Sequence, residues 1–412
     1  MTGVTIFHEL KPEQSYEYQM GWLSQDRNES SAAELPVASD LDWSTIERHQ
    51  FHTAAEGIDT PRRFVFGSCR YLLKLFGGLW FEDRGDKTFR SILEQIENKE
   101  SLDLMLMLGD QIYADDLLIL APDRWLDEYN ARYRDVFSQP HIRRLMSQLP
   151  TYMMLDDHEI EDNWPRRASA RDRVTKFPVA IHALLTYQLS HSPLYQIADN
   201  GITGVPDKLW YTFSNGCCDF FMMDVRTERQ LSEDEEERQM INEVQMEALK
   251  KWLSDESGRV KLIGSSVPFF PDFRRRNADK WHGFLRQRTE ILEYIHINQI
   301  RRVVFFSGDI HKSTAAELTH RHDPDFKIIS IISTPFFWPF PLLEFGEILQ
   351  SEGPLDVWSE EGQISAGAYH VQSLTPVRAI DCFTRVTVTP ESIRSELFDR
   401  KGNLVGTTDV QF

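Results

Sequence analysis

A chain of 412 residues with 41% hydrophobic and 26% charged residues has a globular composition, which excludes a disordered chain and leaves room for one large α/β domain with appendages. Its formal net charge of −19 argues against a nucleic-acid platform, because a phosphate backbone is held by clustered Lys and Arg. The longest uncharged apolar stretch, Ile328 to Leu343, is broken by Pro335, Pro339 and Pro341 and is shorter than the ~20 residues of a membrane helix, so no transmembrane segment is expected.

The N-terminal "MTGVTIFHELKPEQ" has neither a basic n-region nor an apolar h-region, which predicts a cytoplasmic protein. Four cysteines agree, and the adjacent Cys217 and Cys218 are poorly placed to bridge each other. Residues 1–60 are polar and irregular except for "SYEYQMGWL" and "RHQFHTA", two strand-like segments that make a small β appendage. Residues 61–412 form the main domain, where an apolar β-type run, a polar tip and a helical stretch recur. The runs are "RFVFGSC", "LDLMLMLGD", "TYMMLDDHE", "CDFFMMDVR", "VKLIGSSVPF", "RRVVFFSGDIH" and "FKIISIIST". Helices are expected at "KTFRSILEQIENK", "DEYNARYRDVFSQPHIRRLMSQL", "PVAIHALLTYQLS", "NEVQMEALKKWLSD" and "GFLRQRTEILEYIHIN". The acidic "SEDEEERQ" reads as a solvated loop or helix start, and the chain closes on a hairpin with a turn at Lys401-Gly402-Asn403.

The chemistry lies at the polar tips. Ligands in open α/β sheets gather outside the carboxyl ends of strands, and four runs end there in ligand-type residues. They are Cys69, Asp110 with Tyr113, the group Asp156-Asp157-His158-Glu159, and Asp309 with His311. Singly, each has an ordinary explanation: a helix cap, a core thiol, a half-buried phenol or a charge-paired histidine. Together they point to a metal site, since core packing gives no reason to concentrate acids at four strand ends. A thiolate, a phenolate and three carboxylates from Cys69, Tyr113, Asp110, Asp157 and Asp309 would bring about five negative charges. Fe3+ with Ca2+ would neutralise that set, phenolate and thiolate suiting iron and carboxylates suiting calcium, while other divalent metals remain open and a di-zinc pair would favour more histidine.

In this order, "FVFGSC", "GDQIYAD", "DDHEIEDNW", "DVRTER", "DKWHGFLRQR" and "GDIHKS" resemble the metallophosphatases of the alkaline phosphatase D (PhoD) type, within the calcineurin-like metallophosphoesterase superfamily. "LKPEQSYEYQM" resembles the end of that family's N-terminal β domain. The resemblance implies a four-layer α/β (α+β) sandwich of two mixed β-sheets flanked by helices, with a short N-terminal β appendage and a metal centre at the strand ends. It implies Cys69, Asp110, Tyr113 and His311 as ferric ligands, with Asp110 bridging to a divalent ion held also by Asp157 and Asp309. Asp156 belongs to the same acidic group. Asn163 is a further metal contact in the family pattern, beside Asp162 where that pattern has another asparagine.

The implied reaction is hydrolysis of phosphodiesters, phosphomonoesters or both by attack of a metal-bound hydroxide, with His158 protonating the leaving alkoxide. Arg70 and Arg226 are candidates to hold the phosphoryl charge, and Trp281 to line the pocket. "STPFFWPFPLLEF", residues 333–345, is expected to be an irregular aromatic loop that either packs against a partner, giving a homo-oligomer, or forms an apolar wall for a small-molecule or lipid-like phosphate ester. The alternative of a different class is a non-catalytic metallophosphatase-fold scaffold or binding protein.

Overall fold

The computed structural model describes residues 3–21, 38–75, 80–81, 83–98, 100–116, 122–198, 201–275, 279–342, 349–359 and 361–412. All seven apolar runs are strands, at Arg62–Gly67, Leu104–Met107, Thr151–Met153, Cys218–Met222, Val260–Gly264, Val303–Ser307 and Asp323–Ile332. They are also the parallel strands of two sheets. In the smaller sheet, Arg62–Gly67, Leu104–Met107 and Thr151–Met153 run parallel, and the antiparallel C-terminal strands Cys382–Val388, Ser392–Asp399 and Leu404–Gln411 extend it beyond Arg62–Gly67. In the larger, Cys218–Met222, Val260–Gly264, Val303–Ser307 and Asp323–Ile332 run parallel, with Tyr211–Asn215 at one edge. Thr314–His320, Ile364–Ser373 and Glu352–Trp358 complete the other edge, all antiparallel.

Strand alternation explains the layers. Phe64, Phe66, Leu104 and Leu106 face Phe220, Leu262, Val304 and Phe306 across the inter-sheet core, with the Phe66 and Phe306 rings 4.8 Å apart. The intervening Val65, Met105, Met107 and Met153 turn outward onto Phe89 and Ile92 of helix Arg84–Glu97 and Ile142 and Leu145 of helix Pro140–Met146. On the other side, Phe221, Ile263 and Phe305 meet Met246 and Leu249 of helix Glu243–Leu253 and Ile291, Leu292 and Ile295 of helix Leu285–Ile297. The result is helix, sheet, sheet, helix, a four-layer sandwich of two mixed sheets.

The expected long helix over residues 127–149 is two, Leu126–Phe137 and Pro140–Met146. Pro140 cannot donate a backbone hydrogen bond, so Gln139 leaves the helical region and Pro140 occupies the first turn of the next helix. The acidic run around Glu233–Glu237 is mostly exposed turn without regular helix. "SYEYQ" and "RHQFH" pair as an antiparallel two-stranded sheet, tied to the main body by the Tyr18 hydroxyl on the Ser147 carbonyl at 2.9 Å. Residues 22–23, 99 and 343–345 of the expected segments lie outside the described residues.

Candidate metal centre

Parallel strands in each sheet send their carboxyl ends the same way, and at that rim the two sheets bring the polar tips together. Carboxylate oxygens of Asp110, Asp156, Asp157 and Asp309 lie within 4.8 Å of one another, and a His158 nitrogen joins Asp110 and Asp157 at the same spacing. Cys69 and Tyr113 enter through Asp110: the thiol and the phenol donate to its Oδ2 at 3.4 and 3.3 Å. The His311 ring lies 4.1 Å from that of Trp338 and feels the charges of His158, Lys280 and Asp157.

The backbone carries the cost of this convergence. Ten described non-glycine residues have φ in the left-handed region, and five are expected ligands: Cys69, Asp110, Asn163, Asp309 and His311. Such conformations cost roughly 1–3 kcal/mol each and cluster where function requires them. The glycines before Asp110 and Asp309 have a steric reason. A Cβ at Gly109 would collide with Asp156, and one at Gly308 with Ser68, so Gly-Asp lets neighbouring strand ends approach.

Glu159, read above as a member of the ligand-type group, and Asp115, to which the sequence reading gave no role, hold the tips in register. The buried Glu159 carboxylate accepts the backbone N–H of Gln111, Asp156 and Asp110 at 2.7, 3.0 and 3.1 Å, tying two strand ends. Asp115 accepts from His158 Nδ1 at 3.0 Å and from the Asp162 N–H at 2.8 Å. Burial would lower the His158 pKa, but Asp157, Asp110 and Asp115 outweigh it and hold the imidazole well above its usual range.

The two arginines differ from expectation. Arg70 turns away from the cluster: its guanidinium donates to the Val136 carbonyl at 2.8 Å and to Asp86 at 3.3 Å, which also caps the backbone of His141 and Ile142. A cation this buried needs a buried carboxylate, and Asp86 supplies it. Arg226 does reach the cluster but is fully buried, pairing with Asp156 and Asp279 at 2.5 Å, Asp157 at 3.4 Å and Asp309 at 3.6 Å. It compensates carboxylates of the cluster. Trp281 is core, fully buried, donating from Nε1 to Ser265 at 3.0 Å and packing on Phe269. Asp279 and Lys280, which open the quoted "DKWHGFLRQR" but were given no role of their own, join the cluster: Lys280 Nζ bonds both Asp279 and Asp309. Their signal in the sequence was their place in that motif. Asp162 turns its carboxylate to Arg167 at 3.5 Å, while the Asn163 N–H donates to Asp157.

The donor set fits metal ions on its own chemistry. Among the described residues, Asp156 Oδ2 and Asp157 Oδ1 are buried without a hydrogen-bond partner, the latter facing only the Arg226 guanidinium at 3.4 Å. Burial and the Asp110 charge push the Cys69 thiol well above its usual range, and burial with Cys69 and Asp110 does the same to the Tyr113 phenol, so a cation among them is what would stabilise their anions. Desolvation, with His158 and Lys280 nearby, lowers the His311 pKa to about 3 and keeps it neutral, the form that binds metal.

Two face-packed mixed sheets with acids at their strand ends define the metallophosphatase-type fold. The sequence model described as PhoD-like phosphatase matches residues 80–336, and the chain belongs to that family. Alkaline phosphatase D of Bacillus subtilis (strain 168) is 23% identical over 341 residues, 72% of this chain and 54% of the relative, so the chain spans about half the length of that protein. Among solved structures, that described as "Structure of PhoD" superposes with a TM-score of 0.62 at 19% identity, covering 89% of this chain and 72% of the other. Purple acid phosphatase PPD1 from yellow lupin (Lupinus luteus) seeds gives 0.55 at 12% identity, covering 89% and 56%. At such identities the structural likeness establishes the fold alone. Among the described residues, no helix is long and apolar enough to cross a membrane.

Proposed function

We propose that the protein is a metal-dependent hydrolase of phosphoric esters, phosphodiesters or phosphomonoesters, acting at the strand-end cluster, and that residues 1–60 are an appendage to the catalytic domain 61–412. The observation that carries this is the group Asp110, Asp156, Asp157 and Asp309, four carboxylates within 4.8 Å at the ends of parallel strands. Cys69, Tyr113, His311 and Asp110 would hold a ferric ion, and Asp110, Asp157 and Asp309 a calcium or similar divalent ion, with Asp156 and Asn163 adjoining. Bound there, the ions would supply Lewis-acid stabilisation of charge on the phosphoryl oxygens.

The chain's own part is proton delivery and orientation. His158 keeps its Nδ1 on Asp115, which fixes the ring and leaves Nε2 to carry a proton to the departing ester oxygen. Tyr113 stacks on His158 with centroids 4.2 Å apart, limiting its rotation from the other face. Beyond them Tyr71, Trp338 and Phe340 form an aromatic pile, with Trp338 5.8 Å from both Tyr71 and Tyr113 and 5.3 Å from the exposed Phe340. This pile is a wall for an apolar ester group, which favours small-molecule or lipid-like esters as substrates. Hydrolysis of bis-nitrophenyl phosphate, with metal content read by elemental mass spectrometry, tests the proposal. Chelator-sensitive turnover lost in Asp110→Asn supports it; a metal-free protein inert after reconstitution with iron and calcium would leave a scaffold.

A further inference from the structure

The cluster's charges are unevenly compensated. Among the described residues, the Asp110 carboxylate accepts from Cys69, Tyr113 and the His158 backbone N–H and lies within 4.8 Å of a His158 ring nitrogen, and no lysine or arginine side chain pairs with it. The other side is held by the protein's own cations. Arg226 reaches Asp156, Asp157, Asp279 and Asp309, Arg229 pairs with Asp279 at 2.8 Å, and Lys280 Nζ bridges Asp279 and Asp309. Asp309 therefore presents one oxygen to Arg226 and the other to Lys280.

The ammonium is held there by construction. Asp279 is fixed by two arginines, and the following Trp281 anchors the segment in the core through Ser265, so the backbone cannot carry Lys280 away without unpacking a buried tryptophan. A lysine side chain, however, can swing on its flexible stem while its backbone stays fixed.

Resting on the metal-centre reading above, we propose that Lys280 is a built-in competitor for the divalent ion. Its ammonium occupies the Asp309 carboxylate that this ion would use, so the outer ion binds weakly and exchangeably while the inner ion, on Cys69, Asp110, Tyr113 and His311, is held tightly. A unit positive charge at contact distance opposes an incoming cation through Coulomb repulsion and through the ion pair that must open. Loading the outer ion then requires Lys280 to release Asp309.

The test compares the full-length protein with Lys280→Gln, which removes the charge, and Lys280→Arg, which keeps it. Metal content after dialysis is read by elemental mass spectrometry, and Ca2+ alone is titrated by calorimetry. The wild type and Lys280→Arg should each retain about one ion per chain and bind Ca2+ weakly, whereas Lys280→Gln should bind it about ten-fold or more tightly. Equal Ca2+ affinity in wild type and Lys280→Gln, or tight binding in Lys280→Arg, would overturn the role of Lys280 while leaving the metal centre standing. Loss of every ion from all three proteins would overturn the metal-centre reading and this inference with it.

Discussion

The two flanks of the centre solve one problem, several acids at one place, in opposite ways. Around Asp110 the neighbours are a thiol, a phenol, one backbone N–H and the His158 ring, with no lysine or arginine side chain paired to it among the described residues, so much of the negative charge gathered there awaits a cation from outside. Around Asp156, Asp157, Asp279 and Asp309, the chain supplies Arg226, Arg229 and Lys280. One flank is built to need a metal in order to be comfortable, and the other is stable before any metal arrives. A buried charge is tolerated only when paired, so the first flank should govern activity and the second should govern folding.

That division can be broken by experiment. On the cation-poor flank, His158→Asn should lower turnover of esters with poor leaving groups by roughly 10²–10⁴-fold, while activated nitrophenyl esters lose far less. Equal losses for both would remove the proton-delivery role. On the cation-rich flank, Arg226→Met should cost about 3–5 kcal/mol in denaturant unfolding, because Asp156 and Asp279 would be left buried without their closest partner. Asp110→Asn should abolish hydrolysis yet leave the metal-free protein as stable as wild type or more so, since it neutralises a carboxylate that, among the described residues, no lysine or arginine side chain pairs with; a large destabilisation would erase the contrast. Asp115→Asn, one step removed, should cost about ten-fold with the same leaving-group dependence as His158→Asn. Smallest of all, Trp338→Ala should shift the ratio of kcat/KM for long over short alkyl diesters by a few-fold, about the worth of one or two methylenes in an apolar pocket. An unchanged ratio would dismiss the aromatic wall.

How far this was legible beforehand can be judged residue by residue. The parallel strands were readable because both faces are buried, which leaves near-continuous apolar runs such as "LMLM" ending in Gly-Asp. Glu352–Trp358 and Ile364–Ser373 were not, since they lie toward one edge, half-exposed and mixed in polarity. Asp115 stood in plain view in "GDQIYADD", but its task depends on meeting His158, 43 residues further along the chain.

The sequence by itself determined the seven buried strands and the residue types that gather at their ends, because continuous apolar runs, turn residues and ligand chemistry are all local, and its motifs carried the family resemblance that implied the layers. Only the tertiary structure decided how those charges pair: that Arg70 serves Asp86, that Arg226 is a buried hub, that Trp281 is an anchor, and that Lys280 reaches Asp309. Pairing in a low-dielectric interior depends on distances between segments remote in sequence, and local pattern carries no record of those distances.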